Sequence, residues 1–389
     1  MSVPAQRLRK AAFRTATSVI VVATLVLAPA RSAHSQDANA RARQASDRAA
    51  ELEAQGNHAG ALSLLWEAAG LAPHDADLQN RLGEALERLG ALDAAIDAFR
   101  IAVNERPEFQ KASNNLILAL VKAGRGPEAV TLARTRAAAA PNDPDRQFAL
   151  GLAQSEQDVD GAIASFRRTL DLAPRHTLAR YNLALVLQRA DRFGDALAEL
   201  ERGIAIEPRP ELSYTQGIIC WHQGQLDRAA TALRSAVAAE PGYFDAYHAL
   251  GAVLQAKQDW NAAAAALRRA IALRSDAPAP RYALAQVLQH EGRDDDARAE
   301  REKADRLRER ARLEQEAGTW TAVGTQRLDA GELPAALDCF RRAVALLDQY
   351  APAHYQMGRT LDRLGQHEAA RAAFARAQQL NPSLMPPRH

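Results

Sequence analysis

A 34-residue period governs this chain and recurs through most of its 389 residues. Its clearest copy is Ala76–Phe109. With Ala76 as position one, Leu82 and Gly83 fall at seven and eight, Gly90 at fifteen, Ala95 at twenty, Phe99 at twenty-four, Ala102 at twenty-seven and Pro107 at thirty-two. Leu82, Leu86 and Leu89 follow a three-to-four-residue spacing, as do Leu92, Ala95, Ile96 and Phe99, so each run predicts an amphipathic helix. Gly90 lies between the runs, where a helix C-terminus favours a residue without a Cβ. Pro107 lacks an N–H and stops the second helix. One such hairpin cannot bury its apolar face alone, and only stacked neighbours make a core.

Ten units follow at near-constant spacing: 42–75, 76–109, 110–143, 144–176, 177–210, 210–243, 244–277, 278–311, 317–350 and 351–384. Position twenty is alanine in all of them, from Ala61 to Ala370. Position eight is glycine or alanine in every unit but one, where Ile117 stands. The unit 110–143 also carries Arg136 at a small-residue position and is expected to be the loosest of the early units. The unit 144–176 is one residue short in its turn, Asp158–Asp160. No proline ends the second helix of 278–311, which predicts an extended, solvated helix through Asp294–Glu316. Pairs such as Asp294/Arg298, Glu302/Arg306 and Arg301/Asp305 would support it at i to i+4.

This spacing resembles the tetratricopeptide repeat, a helix–turn–helix unit of 34 residues. The resemblance implies an all-α fold, a right-handed α-solenoid of about ten repeats. The corresponding division is a signal peptide over 1–35, a lead-in over 36–41, repeats over 42–311, a helical spacer over 312–316, repeats over 317–384 and a tail over 385–389. The resemblance also implies a concave face lined by first helices, with ligand contacts at positions two, five, nine, twelve and thirteen. Position five supplies Asn114, Phe148, Tyr181, Tyr214, His248 and Tyr282; position nine supplies Leu118, Leu152, Leu185 and Ile218; position twelve adds Val121 and Trp221. The expected groove is apolar with aromatic hydroxyls at its centre and charged at its entrance, where Glu84, Glu87 and Arg88 fall. The competing reading is that the tyrosines only pack adjacent first helices. Lys111, Asn114 and Asn115 are faintly similar to the family's carboxylate clamp, without its matching basic residues on the next first helix. Asn115 and Asn182 are similar to two rungs of an asparagine ladder known in another branch.

Charge and leader bound the setting. The basic residues number 49 and the acidic ones 47, but Arg7, Arg9, Lys10, Arg14 and Arg31 precede the first acid. Removing those five leaves 44 against 47, a net charge of −3, which disfavours non-specific nucleic-acid binding. The basic segment, the apolar run Ser18–Ala28 and the small residues after it read as a secretory signal peptide, with cleavage expected after Ala33-His34-Ser35, before Gln36, and Ala28-Pro29-Ala30 as a second candidate site. The run is shorter than the roughly 18–20 residues of a spanning helix, so no stable membrane span is expected after cleavage. The leader is bacterial in style and points to export, to the periplasm first and to full secretion second. Cys220 and Cys339 fall on inward positions of separate repeats and predict buried thiols.

Enzyme signatures are missing. Neither GxGxxG nor GxxxxGK[ST] occurs, and His367-Glu368 opens a zinc-protease-like string that ends in Arg371. His222, His248, His290 and His354 sit on separate first helices and read as groove or surface residues. No catalytic residue, cofactor or metal is expected. The favoured expectation is a non-catalytic scaffold of the cell envelope that binds a protein or peptide, either an extended segment or a partner helix. An accessory subunit of an envelope glycan or polysaccharide enzyme is the alternative.

Overall fold

The computed structural model describes residues 37–384; the leader and the tail called from the sequence lie outside the described residues. The described chain is all-α, a solenoid of helical hairpins, and divides into two compact units at Glu207/Pro208. The first unit contains α1 (37–54), α2 (His58–Leu71), α3 (Ala76–Arg88), α4 (Leu92–Glu105), α5 (Gln110–Lys122), α6 (Gly126–Ala139), α7 (Pro144–Gln154), α8 (Val159–Leu172), α9 (Thr177–Arg189) and α10 (Phe193–Ile206). The second contains α11 (Pro210–His222), α12 (Leu226–Ala239), α13 (Phe244–Ala256), α14 (Trp260–Leu273), α15 (Ala279–His290), α16 (Asp294–Asp329), α17 (Leu333–Leu346), α18 (Ala351–Arg363) and α19 (His367–Leu380). Within each unit the two helices of a repeat pack together, and each second helix packs on the next first helix.

The repeat positions explain that packing. All ten position-twenty alanines are at most 5% exposed, because any larger side chain there would hold the helices apart. Position eight faces position twenty-four of the same hairpin. A Cβ on Gly83 would come within 2.5 Å of the Phe99 ring, and one on Gly151 within 2.6 Å of Phe166. The exception is compensated. Ile117 faces Ala133, each 1% exposed, so the large side chain has moved from the second helix to the first. The exchange is not free. α5 packs less closely on α6 than α3 does on α4, α7 on α8 or α9 on α10, and α5 also touches α7 directly. Arg136 stays half-buried and donates to the Pro107 carbonyl at 2.9 Å.

Position fifteen is left-handed in nine of the repeats, with glycine in seven and Asp191 (φ 57°) and Gln258 (φ 61°) in two. A side chain there costs about 1–2 kcal/mol. Gln258 is exposed, so Gln258→Gly is expected to stabilise the second unit by about 0.5–1 kcal/mol. A urea midpoint that does not rise would contradict that account.

Position four holds a tie that residue type conceals. Gln79 donates to the Pro73 carbonyl at 2.9 Å, Gln147 to Pro141 at 3.2 Å, Arg180 to Pro174 at 2.8 Å and Arg281 to Ser275 at 3.2 Å. His354 bonds the Asp348 carbonyl at 2.8 Å. Each reaches back six residues and closes the turn between repeats. His354 is thus 5% exposed, a buried tie rather than the groove or surface residue expected. Arg180 and Arg281 add an ion pair to the second helix of their own repeat, to Glu199 at 2.5 Å and Glu300 at 2.7 Å. Both partners of the first pair have side chains only 13% exposed. Arg180→Met is expected to destabilise the first unit by about 2 kcal/mol, less than the roughly 3–5 of a fully buried pair. Thermal melts of the variant beside the wild type measure it.

The long helix forms as expected and goes further. α16 runs 36 residues without a break, so one repeat's second helix becomes the next repeat's first. Its side-chain pairs differ from the sequence reading. Arg306 does pair with Glu302, at 3.8 Å, but Arg298 turns to Asp295, and Asp305 accepts from the Tyr282 hydroxyl at 2.6 Å instead of pairing with Arg301. Flexible charged side chains take the nearest partner in space, and the adjacent first helix supplies one that a single-helix count omits. Cys220 and Cys339 are buried thiols in separate hairpins.

Candidate partner-binding grooves

Positions five and nine lie four residues apart, so Asn114/Leu118, Phe148/Leu152 and Tyr181/Leu185 each share one helix face. In the first unit, α5, α7 and α9 bring Leu118, Leu152 and Leu185 to one cavity of about 270 Å³. Val121 and Val186 extend its apolar wall, and Ser155, Glu156, Asn182 and Arg189 complete it. Its origin is the short repeat. α7 has 11 residues where α5 and α9 have 13, and the cavity opens where its last turn would be, beside Ser155 and Glu156. Arg189 donates to the carbonyls freed there, of Ser155 at 2.5 Å and Glu156 at 3.4 Å, and pairs with the Glu156 carboxylate at 3.5 Å. Asn182 donates to the Leu178 carbonyl at 2.8 Å. The polar part of the lining is therefore satisfied, and the exposed chemistry of the cavity is apolar.

The position-five residues split into two kinds. Phe148 leans on its own hairpin, 5.8 Å from the Phe166 ring and 4.8 Å from the His176 ring in the turn. Asn114 and Tyr181 are half-buried and make no hydrogen bond to another described residue. Each lies one helical turn before a floor leucine, Asn114 before Leu118 and Tyr181 before Leu185.

The second unit carries Tyr214, Ile218, Trp221, His248 and Tyr282, all half-buried. Tyr214 packs 5.2 Å from Tyr243, Trp221 stacks on His222 at 6.2 Å, and His248 lies 6.1 Å from Phe244. Burial holds the His248 imidazole below its ordinary pKa, with Asp245 opposing, so the ring is neutral near neutral pH. Tyr282 is held by Asp305, whose hydrogen bond raises the phenol above its ordinary value. Phe148, Tyr214 and Tyr282 thus each contact the second helix or the turn of their own repeat, not the adjacent first helix that the competing reading named.

The charged entrance is internally paired. Glu84 accepts from Asn80 and Asn115 at 2.9 Å each and from Lys111 at 2.7 Å. Burial raises its pKa, and the bonds from Lys111, Asn80 and Asn115 outweigh that and hold it below the usual carboxylate value. Lys111 and Asn115, the clamp-like residues, are committed to this carboxylate. Position thirteen is used between repeats. Arg88 pairs with Glu53, Lys122 with Glu87 at 2.6 Å, and Arg363 donates to the Leu328 carbonyl at 3.0 Å. A cation beside the C-terminal end of the preceding first helix is favourable there.

A tetratricopeptide-repeat sequence profile matches residues 46–108, 114–176, 148–209 and 181–244, and two related profiles match 351–384 and 278–303. Together they cover well over half of the chain. The chain belongs to the tetratricopeptide-repeat family. No curated protein matches significantly. Among solved structures, it is similar to a tetratricopeptide repeat protein of Parabacteroides merdae, with 16% identity and a TM-score of 0.49, over 64% of this chain and 99% of that one. A thermophilic repeat protein of Thermus thermophilus gives 23% identity and a TM-score of 0.41, over 46% and 99%. YrrB, described as a repeat protein with an unusual peptide-binding site, gives 22% and 0.35, over 43% and 87%. As a tetratricopeptide-repeat chain, the protein has the fold of an interaction scaffold. Among the described residues no helix is long and apolar enough to cross a membrane, and no three metal-ligating side chains cluster.

Proposed function

We propose that this protein is a non-catalytic scaffold of the bacterial cell envelope, exported by its leader, which binds an extended peptide segment or partner helix on its first helices. The observation that carries the reading is the leucine-floored cavity of α5, α7 and α9. At about 270 Å³ it falls below the roughly 300–1,000 Å³ of small-molecule sites. It suits one apolar side chain of a longer ligand. Asn114 and Tyr181, one helical turn before Leu118 and Leu185, would bond the ligand's backbone, as a chain with its own polar groups requires. The aromatic positions of the second unit would add contact area with few rotors to freeze. The leader supports periplasmic delivery ahead of full secretion. The test is differential capture from envelope extract by the chain from Gln36, beside a Leu118→Ser/Leu185→Ser variant. A partner captured by both alike would remove the cavity from the account.

A further inference from the structure

A second cleft lies in the second unit, and its chemistry differs from that of the leucine-floored cavity. Because α16 runs on instead of turning, its middle has no following first helix laid over it. Between residues 298 and 312 only Ala304 is buried, and only Glu300 and Leu307 are half-buried. Against α15 this stretch leaves a cleft of about 320 Å³ lined by Ser275, Arg281, Lys303, Arg306, Leu307 and Arg310. Four of the six are cations, one is apolar, and none is a carboxylate.

The cations are incompletely neutralised. Arg281 and Lys303 share the single carboxylate of Glu300, at 2.7 and 2.6 Å. Arg310 uses only its Nε, on Glu314 at 2.9 Å, and keeps both terminal nitrogens. Arg306 makes no hydrogen bond to another described residue, and its pair with Glu302 is loose at 3.8 Å. Four positive charges therefore meet three carboxylates, and the guanidinium fork at the centre is only loosely paired.

We propose that this cleft binds a short acidic peptide segment that carries an apolar residue among its carboxylates. The row favours an extended chain over a compact anion. Lys303, Arg306 and Arg310 are spread over eight residues of helix, a rise of about 10 Å, the length of roughly three residues of extended chain. Leu307, between them, gives an apolar side chain its contact, which a bare phosphate would leave unused.

The test is fluorescence anisotropy on the full chain with a fluorescein-labelled Glu-Asp-Leu-Glu-Asp peptide, beside the same peptide with Gln and Asn for its acids. The acidic peptide is expected to bind, more weakly as salt rises, and the amide peptide to bind at least tenfold more weakly. Arg306→Glu with Arg310→Glu is expected to lose at least tenfold, with far-UV circular dichroism unchanged because both side chains are exposed. Glu314→Gln, which releases Arg310, is expected to tighten binding. Leu152→Asp is expected to leave this affinity unchanged, which separates the cleft from the groove. Absence of binding, equal binding of the two peptides, equal binding by the charge-reversed variant, or displacement by inorganic phosphate alone would each overturn the proposal.

Discussion

Gly83→Ile is expected to destabilise the first unit by about 3 kcal/mol, the upper end for forcing extra methylenes into a packed core. The cause is local. A Cβ at that position already meets the Phe99 ring at 2.5 Å, and that ring is fully buried and held on all sides. Phe99→Ala alone is expected to cost about 3–5 kcal/mol through the lost contacts and the cavity left behind. The pair together should cost less than the sum by about 2–3 kcal/mol, because it recreates the arrangement that Ile117 and Ala133 use one repeat later. Urea midpoints of the four proteins, read by circular dichroism, close the cycle. Additive losses would show that positions eight and twenty-four do not share one volume, and the packing account would fail with them.

The second large effect concerns binding. Leu152 sits between Leu118 and Leu185 on the floor of the cavity, half-buried, so its replacement leaves the core intact. Leu152→Asp is expected to weaken a groove ligand by about 2 kcal/mol or more, roughly thirtyfold, as a central apolar anchor does. Tyr181→Phe should cost less, about 1 kcal/mol, because it removes one hydroxyl and leaves the ring. Phe148→Ala should instead lower stability, because that ring rests on Phe166 and His176. A titration in which Leu152→Asp binds as wild type, with helicity retained, would remove the cavity as the anchor.

Much of the fold was legible because small-residue requirements appear as residue types. An alanine ten times over at position twenty and a glycine at the left-handed turn can each be read without coordinates. The substitution at Ile117 was legible as a departure, yet its compensation by Ala133 became plain only when the two faced each other. The ties at position four were hidden for a different reason. Gln79, Gln147, Arg180, Arg281 and His354 share a donor and a reach, not a residue type, and their partner is a backbone carbonyl. The ion pairs of α16 were partly misread because Tyr282 reaches Asp305 from a neighbouring helix.

The candidate site was legible in its leucines and not in its cavity. Position nine named Leu118, Leu152 and Leu185, and the missing residue of the short repeat was visible in the sequence. That the shortage removes the last turn of α7, and so opens a space beside Ser155 and Glu156, depends on how three helices sit side by side. The same limit applies to the tyrosines. Spacing placed Tyr181, Tyr214 and Tyr282 on equivalent positions, but Tyr282 is held by Asp305 while Tyr181 keeps a free hydroxyl.

The most direct test of the scaffold account is a peptide-library selection on the chain from Gln36, with each enriched peptide then titrated against wild type and Leu152→Asp. The account predicts enriched peptides that share one large apolar residue and lose roughly thirtyfold or more in affinity for the variant. Peptides that bind both proteins equally, or a selection that enriches none, would contradict it.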